Sequence, residues 1–211
     1  FSLAKRVAPG LELHVSTQAS TTNWHTVQMW KELGATRVVA AREVSLADLK
    51  EMKDNVDIEI ESFVHGSMCI SYSGRCLLSN YMTGNRDANR GQCSQSCRWK
   101  YSLVESNRPG EYYPIEEDEH GTYIFNSKDL CLIHRIPDLY EAGIDSLKIE
   151  GRMKSVHYCA TVAKVYRTAI DTYLKEGKDW HVRPEWIAEL EKISHRPYTD
   201  GFAEGRPDET A

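Results

Sequence analysis

Stretches that alternate apolar and polar residues take turns with stretches of helical period along most of this chain, which confines it to folds with helices laid on a mainly parallel sheet. Leu11, Leu13 and Val15 alternate with Glu12, His14 and Ser16 as a half-buried strand does, and a helical pattern follows over residues 23–33, stopping at Gly34. A second unit places a strand at residues 36–40 and a helix capped by Ser45 that runs to about Lys53. Residues 56–61 read as a third strand. A long irregular stretch precedes a fourth strand at 122–125, with a helix reaching Ala142 and Gly143. The fifth strand is 145–149, and its helix runs from Val156 to about Glu176. Val162, Val165, Tyr166, Ala169 and Tyr173 form one stripe of that helix, a packing face.

The strands share a division of faces. Ile58 and Ile60 oppose Glu59 and Glu61, and Leu147 and Ile149 oppose Lys148 and Glu150. With helices covering the apolar side, the charged side must pair internally, meet water or bind a polar ligand, because burying unpaired charge is costly.

Cysteine usage is the second constraint. Cys69, Cys76, Cys93 and Cys97 are spaced C-x6-C-x16-C-x3-C, and glycines precede the thiols where tight turns are needed. No signal peptide and no run of 18 apolar residues is present, so a cytoplasmic location with no membrane association is expected, where thiols stay reduced and clustered cysteines favour metal over disulfides. Zinc and an iron-sulfur cluster are both open: structural zinc usually shows two close cysteine pairs, whereas only Cys93 and Cys97 are close here. Cys159, on a helix, reads as structural. The net charge of −5 gives no global field for nucleic acid, so an RNA ligand needs a local patch. The run from Arg98 through Trp99 to Tyr101 interleaves cations with rings able to stack on bases, and Lys148, Arg152 and Lys154 form a second basic group. The acidic run from Glu116 to Glu119 reads as part of a loop or edge hairpin. Motifs for phosphate loops, dinucleotide folds and serine nucleophile elbows do not occur.

The run from Glu61 to Ser79, with Phe63, Gly66, Cys69, Gly74 and Cys76 in place, resembles the signature of the U32-type collagenase-like peptidase family. Further stretches are similar to that family: Ser16 to Gln18, Ala41 to Glu43, Asn89 to Gly91, Cys97 to Tyr101, Asn126 to Leu130 and Ser146 to Ser155. Together with the tail from Ser194 to Phe202, they are most similar to the branch that hydroxylates the wobble uridine of tRNA. The resemblance implies a [4Fe-4S] cluster, hydroxylation to 5-hydroxyuridine without molecular oxygen, dependence on a prephenate-derived factor, and tRNA as partner. It implies Cys69, Cys76 and Cys93 as ligands, with Cys97 and Cys131 competing for the fourth position. The family's peptidase name keeps a metal-dependent collagenase-like peptidase as an alternative, and a zinc-stabilised, non-catalytic scaffold that binds RNA or a partner enzyme is the other.

The fold implied is a (β/α)8 TIM-type barrel. About five strands are present where a whole barrel takes roughly 250 residues, and the chain opens at Phe1, so it is expected to be a piece lacking about three N-terminal strands. Residues 1–183 are then the C-terminal part of the barrel, including the cysteine segment 61–101, and residues 184–211 begin a C-terminal extension. The exposed sheet edge at residues 11–16 is expected to favour association. Barrel enzymes carry chemistry at the C-terminal mouth of their strands. There Glu43, Glu61, His65 and Glu150 are the candidates to move protons, and Gln18, Arg42, Arg98, Lys148, Arg152 and Lys154 the candidates to hold substrate. His65, four residues before Cys69, is also a candidate to orient or replace a ligand, and Glu150 with Arg152 also reads as an ion pair at a strand end.

Overall fold

The computed structural model describes residues 1–99 and 128–205, with the strand pair Ser102–Leu103 and Tyr113–Pro114 and the turn at Gly110 between them. The predicted strand at 122–125 lies outside the described residues. Two compact units form, one from residues 1–68 with the chain from Lys128 onward, the other from Cys69–Ser127.

The first unit is a mixed α/β layer. In chain order it contains α1 (Ser2–Val7), β1 (His14–Val15), α2 (Trp24–Glu32), β2 (Arg37–Val39), α3 (Leu46–Asn55) and β3 (Glu59–Ser67). The second unit contributes α4 (Leu78–Thr83), β4 (Ser102–Leu103) and β5 (Tyr113–Pro114), the last two an antiparallel pair. The first unit resumes with β6 (Asp129–Cys131), α5 (Ile136–Glu141), β7 (Ser146–Glu150), α6 (Val156–Glu176), α7 (Pro184–Glu191) and β8 (Tyr198–Thr199). Its sheet runs β1-β2-β3-β6-β8, with β7 also paired to β3.

Helix starts follow the local chemistry. The Asn23 side chain accepts from the Thr26 amide, and Ser45 with Asp48 completes a reciprocal capping box that satisfies two amides otherwise left bare. Ser155 caps α6 through the Tyr158 amide. Apolar faces then decide the layers. Val27 of α2 and Leu49 and Met52 of α3 pack on Val15, Val38, Ile58 and Ile60. Val162, Val165, Tyr166 and Ala169 of α6, with Leu139, Trp186 and Leu190, pack around Val64, Leu130 and Leu132. Each fully buried large apolar side chain contributes roughly 1.5–3 kcal/mol.

β1, β2, β3 and β7 are parallel, as the alternation predicts, but β6 runs antiparallel to β3. β6 begins opposite Ser67 and ends opposite His65, and β7 starts opposite Glu61. β6 and α5 together therefore make the return leg from the C-terminal to the N-terminal end of β3, with β6 occupying the place where a crossover helix would begin. β3 is also longer than the residues 56–61 predicted for it, because β7 and β6 extend the ladder along Phe63 to Ser67. Conversely β1 is only two residues, matched to the short β2 it pairs with, and it lies at the sheet edge.

Candidate active site

A charged strip crosses the β2-β3-β7 face on the side away from α2 and α3. Glu61 accepts hydrogen bonds from Lys148 Nζ at 2.8 Å and Ser146 Oγ at 3.0 Å, and Arg37 approaches its second oxygen at 3.5 Å. Burial pushes the Glu61 carboxyl upward, but the Lys148 bond and charge, the Ser146 hydroxyl and Arg37 outweigh it, so its pKa is lowered and it is held as carboxylate. Lys148 also lies 5.5 Å from the Phe63 ring centroid, and the Arg42 guanidinium covers that ring at 4.1 Å while reaching Glu150 at 3.9 Å. The Arg152 amide donates to Glu150 Oε1 at 3.0 Å.

The loops that follow β1, β2 and β7 carry Gln18, Arg42 with Glu43, and Arg152 respectively, all at the C-terminal ends of parallel strands. The first two loops are tied together: Thr17 Oγ1 donates to the Ala40 carbonyl at 3.2 Å and the Ala41 amide to the Thr21 carbonyl at 3.0 Å. Arg37, which joins Glu61 to Glu59, is a member the sequence reading missed. A lone arginine leading the apolar run Val38-Val39-Ala40 was the signal available.

His65 takes a different place. The β3–β7 register shifts between Phe63 and His65, and such a bulge re-aims the side chain beyond it. The imidazole is wholly buried among Tyr158, Tyr166 and Tyr198, with ring centroids 6.0, 5.5 and 5.4 Å away. Tyr166 donates to the Val64 carbonyl at 2.8 Å, and its oxygen lies 3.4 Å from His65 Nδ1. Burial, with His195 and Lys154 nearby and only Asp129 opposing, pushes the imidazole pKa down to about 4, so it is neutral. Lys154, expected to clamp substrate, reaches buried Asp129 at 3.5 Å and the Ser194 carbonyl at 2.7 Å. Arg196 holds the same carboxylate through its amide at 3.2 Å and its guanidinium at 3.1 Å. This Asp129-Lys154-Arg196 knot was not predicted as a group, although each member sits in a stretch that carries the family resemblance. Cys131, paired with His65 across the ladder, is buried, and burial pushes its thiol up. Cys159, read as structural, is exposed and lies against the Gly151 carbonyl at 3.8 Å.

In the second unit no disulfide joins the cysteines. Cys76 and Cys97 are buried, Cys69 and Cys93 half-buried. Gly74 and Gly91 hold positive φ of 72° and 79° two residues ahead of Cys76 and Cys93, conformations that favour glycine. The segment is pinned from inside. Ser79 and Ser94 hydroxyls are 3.0 Å apart, the Ser94 amide donates to Ser79 Oγ at 2.9 Å, Asn89 donates to the Cys76 carbonyl at 3.0 Å, and the Arg86 guanidinium to the Cys93 carbonyl at 3.4 Å. The Gln95 amide donates to Cys93 Sγ at 3.3 Å, the kind of N–H bond that stabilises a thiolate ligand. Arg98 ends the single turn Ser96–Arg98, which packs against α4. The donor set of four unbridged thiols fits a thiophilic centre, zinc or iron-sulfur. Among the described residues, no three His, Cys, Asp or Glu side chains converge closely enough to hold a metal ion, and no helix is long and apolar enough to cross a membrane.

The profile of peptidase family U32 matches residues 1–211. The chain belongs to that family. It is 53% identical over 203 residues to tRNA hydroxylation protein P1 of Bacillus subtilis, covering 96% of this chain and 48% of that protein. It is 41% identical over 240 residues to tRNA hydroxylation protein P of Escherichia coli, covering 95% and 52%. A third family relative, the Escherichia coli 23S rRNA 5-hydroxycytidine C2501 synthase, is 33% identical over 204 residues, 94% of this chain and 30% of that protein. The chain thus spans about half the length of the first two relatives. No solved structure matches it.

Proposed function

We propose that the full-length protein is an iron-sulfur-dependent hydroxylase of RNA that converts the tRNA wobble uridine to 5-hydroxyuridine without molecular oxygen. The observation that carries the reading is the placing of Cys69, Cys76, Cys93 and Cys97, all outside disulfides, in one small unit of a chain whose relatives are named for RNA hydroxylation. Cys69, Cys76 and Cys93 would hold the cluster, with Cys97 or Cys131 as fourth ligand. Such a cluster supplies electron transfer tuned by its burial and by N–H bonds to its sulfurs.

The first unit supplies the polar groups. Glu61, kept ionised by Lys148 and Arg37, is the carboxylate of this face available to hold or accept a proton. Arg42 and Arg152, beside Glu150 at the strand ends, offer cations to RNA phosphates or to the carboxylates of a prephenate-derived factor. The whole chain is expected to complete a (β/α)8 barrel around this face. The test is nucleoside analysis of tRNA from cells whose only copy of the full-length protein carries Cys76→Ala. The reading predicts loss of 5-hydroxyuridine, and an unchanged nucleoside profile would overturn it.

A further inference from the structure

The Asp129 side chain of β6 is only 2% exposed, and three contacts hold it: Lys154 Nζ at 3.5 Å, the Arg196 amide at 3.2 Å and the Arg196 guanidinium at 3.1 Å. Lys154 Nζ also donates to the Ser194 carbonyl at 2.7 Å and lies 4.8 Å from the Tyr158 ring centroid. That ammonium is committed to the interior, because withdrawing one partner from a buried ion pair is strongly destabilising. A ligand cannot take it without uncovering Asp129.

What Lys154 holds is a loop. Residues 151–155 join β7 to α6. The Arg152 amide donates to Glu150 at 3.0 Å, the Lys154 amide donates to the Gly151 carbonyl at 3.0 Å, and Ser155 caps α6. A Cβ on Gly151 would stand 2.7 Å from Cys159 Sγ, so the loop lies directly on α6. Lys154 extends these ties to two further segments, β6 through Asp129 and the chain before β8 through Ser194. Arg152 and Met153 are exposed within the loop, and Glu150, at its start, reaches Arg42 at 3.9 Å. A loop that presents a cation beside the Arg42-Glu150 pair is therefore fixed by a buried carboxylate.

We propose that Lys154, anchored by Asp129, is a positioning residue that sets the loop after β7 so that Arg152 contacts an RNA phosphate. A loop ordered before binding loses less freedom on contact, and the contact is stronger for it. The inference rests on RNA being the substrate with Arg152 among the cations that hold it, and its test reads binding rather than hydroxylation.

Full-length protein is titrated with a fluorescent tRNA anticodon stem-loop in a salt series, as a double-mutant cycle of Lys154→Met and Arg152→Gln. Arg152→Gln should weaken binding roughly fivefold and lower the salt slope by about one. Lys154→Met should weaken it by about threefold or more, and the double variant should bind no more weakly than Arg152→Gln alone, because both changes remove the same contact. Losses that multiply overturn the inference, since Lys154 would then act independently of Arg152, and so does a Lys154→Met protein that binds like the native one. Arg196→Gln separates positioning from stability. It removes the other cation from Asp129 without touching the loop, so it should lower the melting temperature and leave affinity and slope unchanged. Equal weakening by Arg196→Gln and Lys154→Met refutes the proposal. Should Lys154→Met fail to fold, Lys154→Gln, which keeps a donor for the Ser194 carbonyl, takes its place in the cycle. Arg152→Gln that binds as tightly as native protein overturns the inference with RNA still the substrate, whereas native protein that binds no RNA overturns the proposed function as well.

Discussion

Replacing Gly66 with alanine should separate two strands at the centre of the first unit. Gly66 lies within β3 at φ +104°, and a Cβ there would stand 2.2 Å from the Glu150 carbonyl oxygen and 3.0 Å from its carbonyl carbon. Two costs combine. Holding alanine at that φ takes of order 1–3 kcal/mol. The clash is with backbone, so β7 must retreat by about 1 Å along the ladder that also sets Lys148 against Glu61, a rearrangement costing about 2 kcal/mol more in a close-packed interior. Gly143→Ala provides the control, because Gly143 also has a positive φ, +77°, but its Cβ would make only ordinary contact with Lys53 at 3.5 Å. Its cost should be the left-handed strain alone, about 1–2 kcal/mol. With an m value of about 2 kcal/mol per molar urea, Gly66→Ala should lower the midpoint by about 1 M more than Gly143→Ala. Equal shifts for the two variants would refute the argument that the close approach of β7 requires glycine.

Other outcomes follow from the charged groups. Because His65 is neutral when folded and its pKa falls from 6.5 to about 4, its contribution is complete above pH 6.5 and is lost as pH falls toward 4. At 1.36 kcal/mol per pH unit, lowering pH from 7 to 5 should remove about 2 kcal/mol, readable as a drop in urea midpoint that His65→Gln abolishes. The lowered Glu61 pKa has the opposite group type and the same acid sensitivity: its stabilisation is present above pH 4.5 and lost as pH falls through the folded value. Lys148→Met should raise that pKa and cost about 1 kcal/mol, a figure kept small because the Lys148 side chain is 39% exposed, with carboxyl titration by NMR as the measurement. Tyr166→Phe removes the buried hydroxyl that bonds the Val64 carbonyl and should cost about 1–2 kcal/mol in thermal unfolding, with no change in RNA affinity.

Local signals were legible in the sequence where a single segment determines the outcome. Asn23, Ser45 and Gly34 bound their helices as predicted, and the α6 stripe of Val162, Val165, Tyr166 and Ala169 is buried. The opposition of Ile58 and Ile60 to Glu59 and Glu61 also holds, since the isoleucines meet α2 and α3 while the glutamates meet Arg37. What was hidden depends on partners distant in sequence. The bulge that turns His65 from the Glu61 face into an aromatic box is set by pairing with β7, more than 80 residues later. Gly66 stands ahead of Cys69 in the signature run, and nothing local shows that it serves the close approach of β7. Asp129 lies in a stretch that carries the family resemblance, but nothing local says that Lys154 and Arg196 will close on it.

The most direct test of the central claim is the iron and acid-labile sulfide content of the full-length protein purified without oxygen. About four of each per chain, with broad absorption near 400 nm that Cys76→Ala removes, is the predicted result. A colourless protein holding one zinc would contradict the redox reading and return the cysteine unit to a structural or peptidase role.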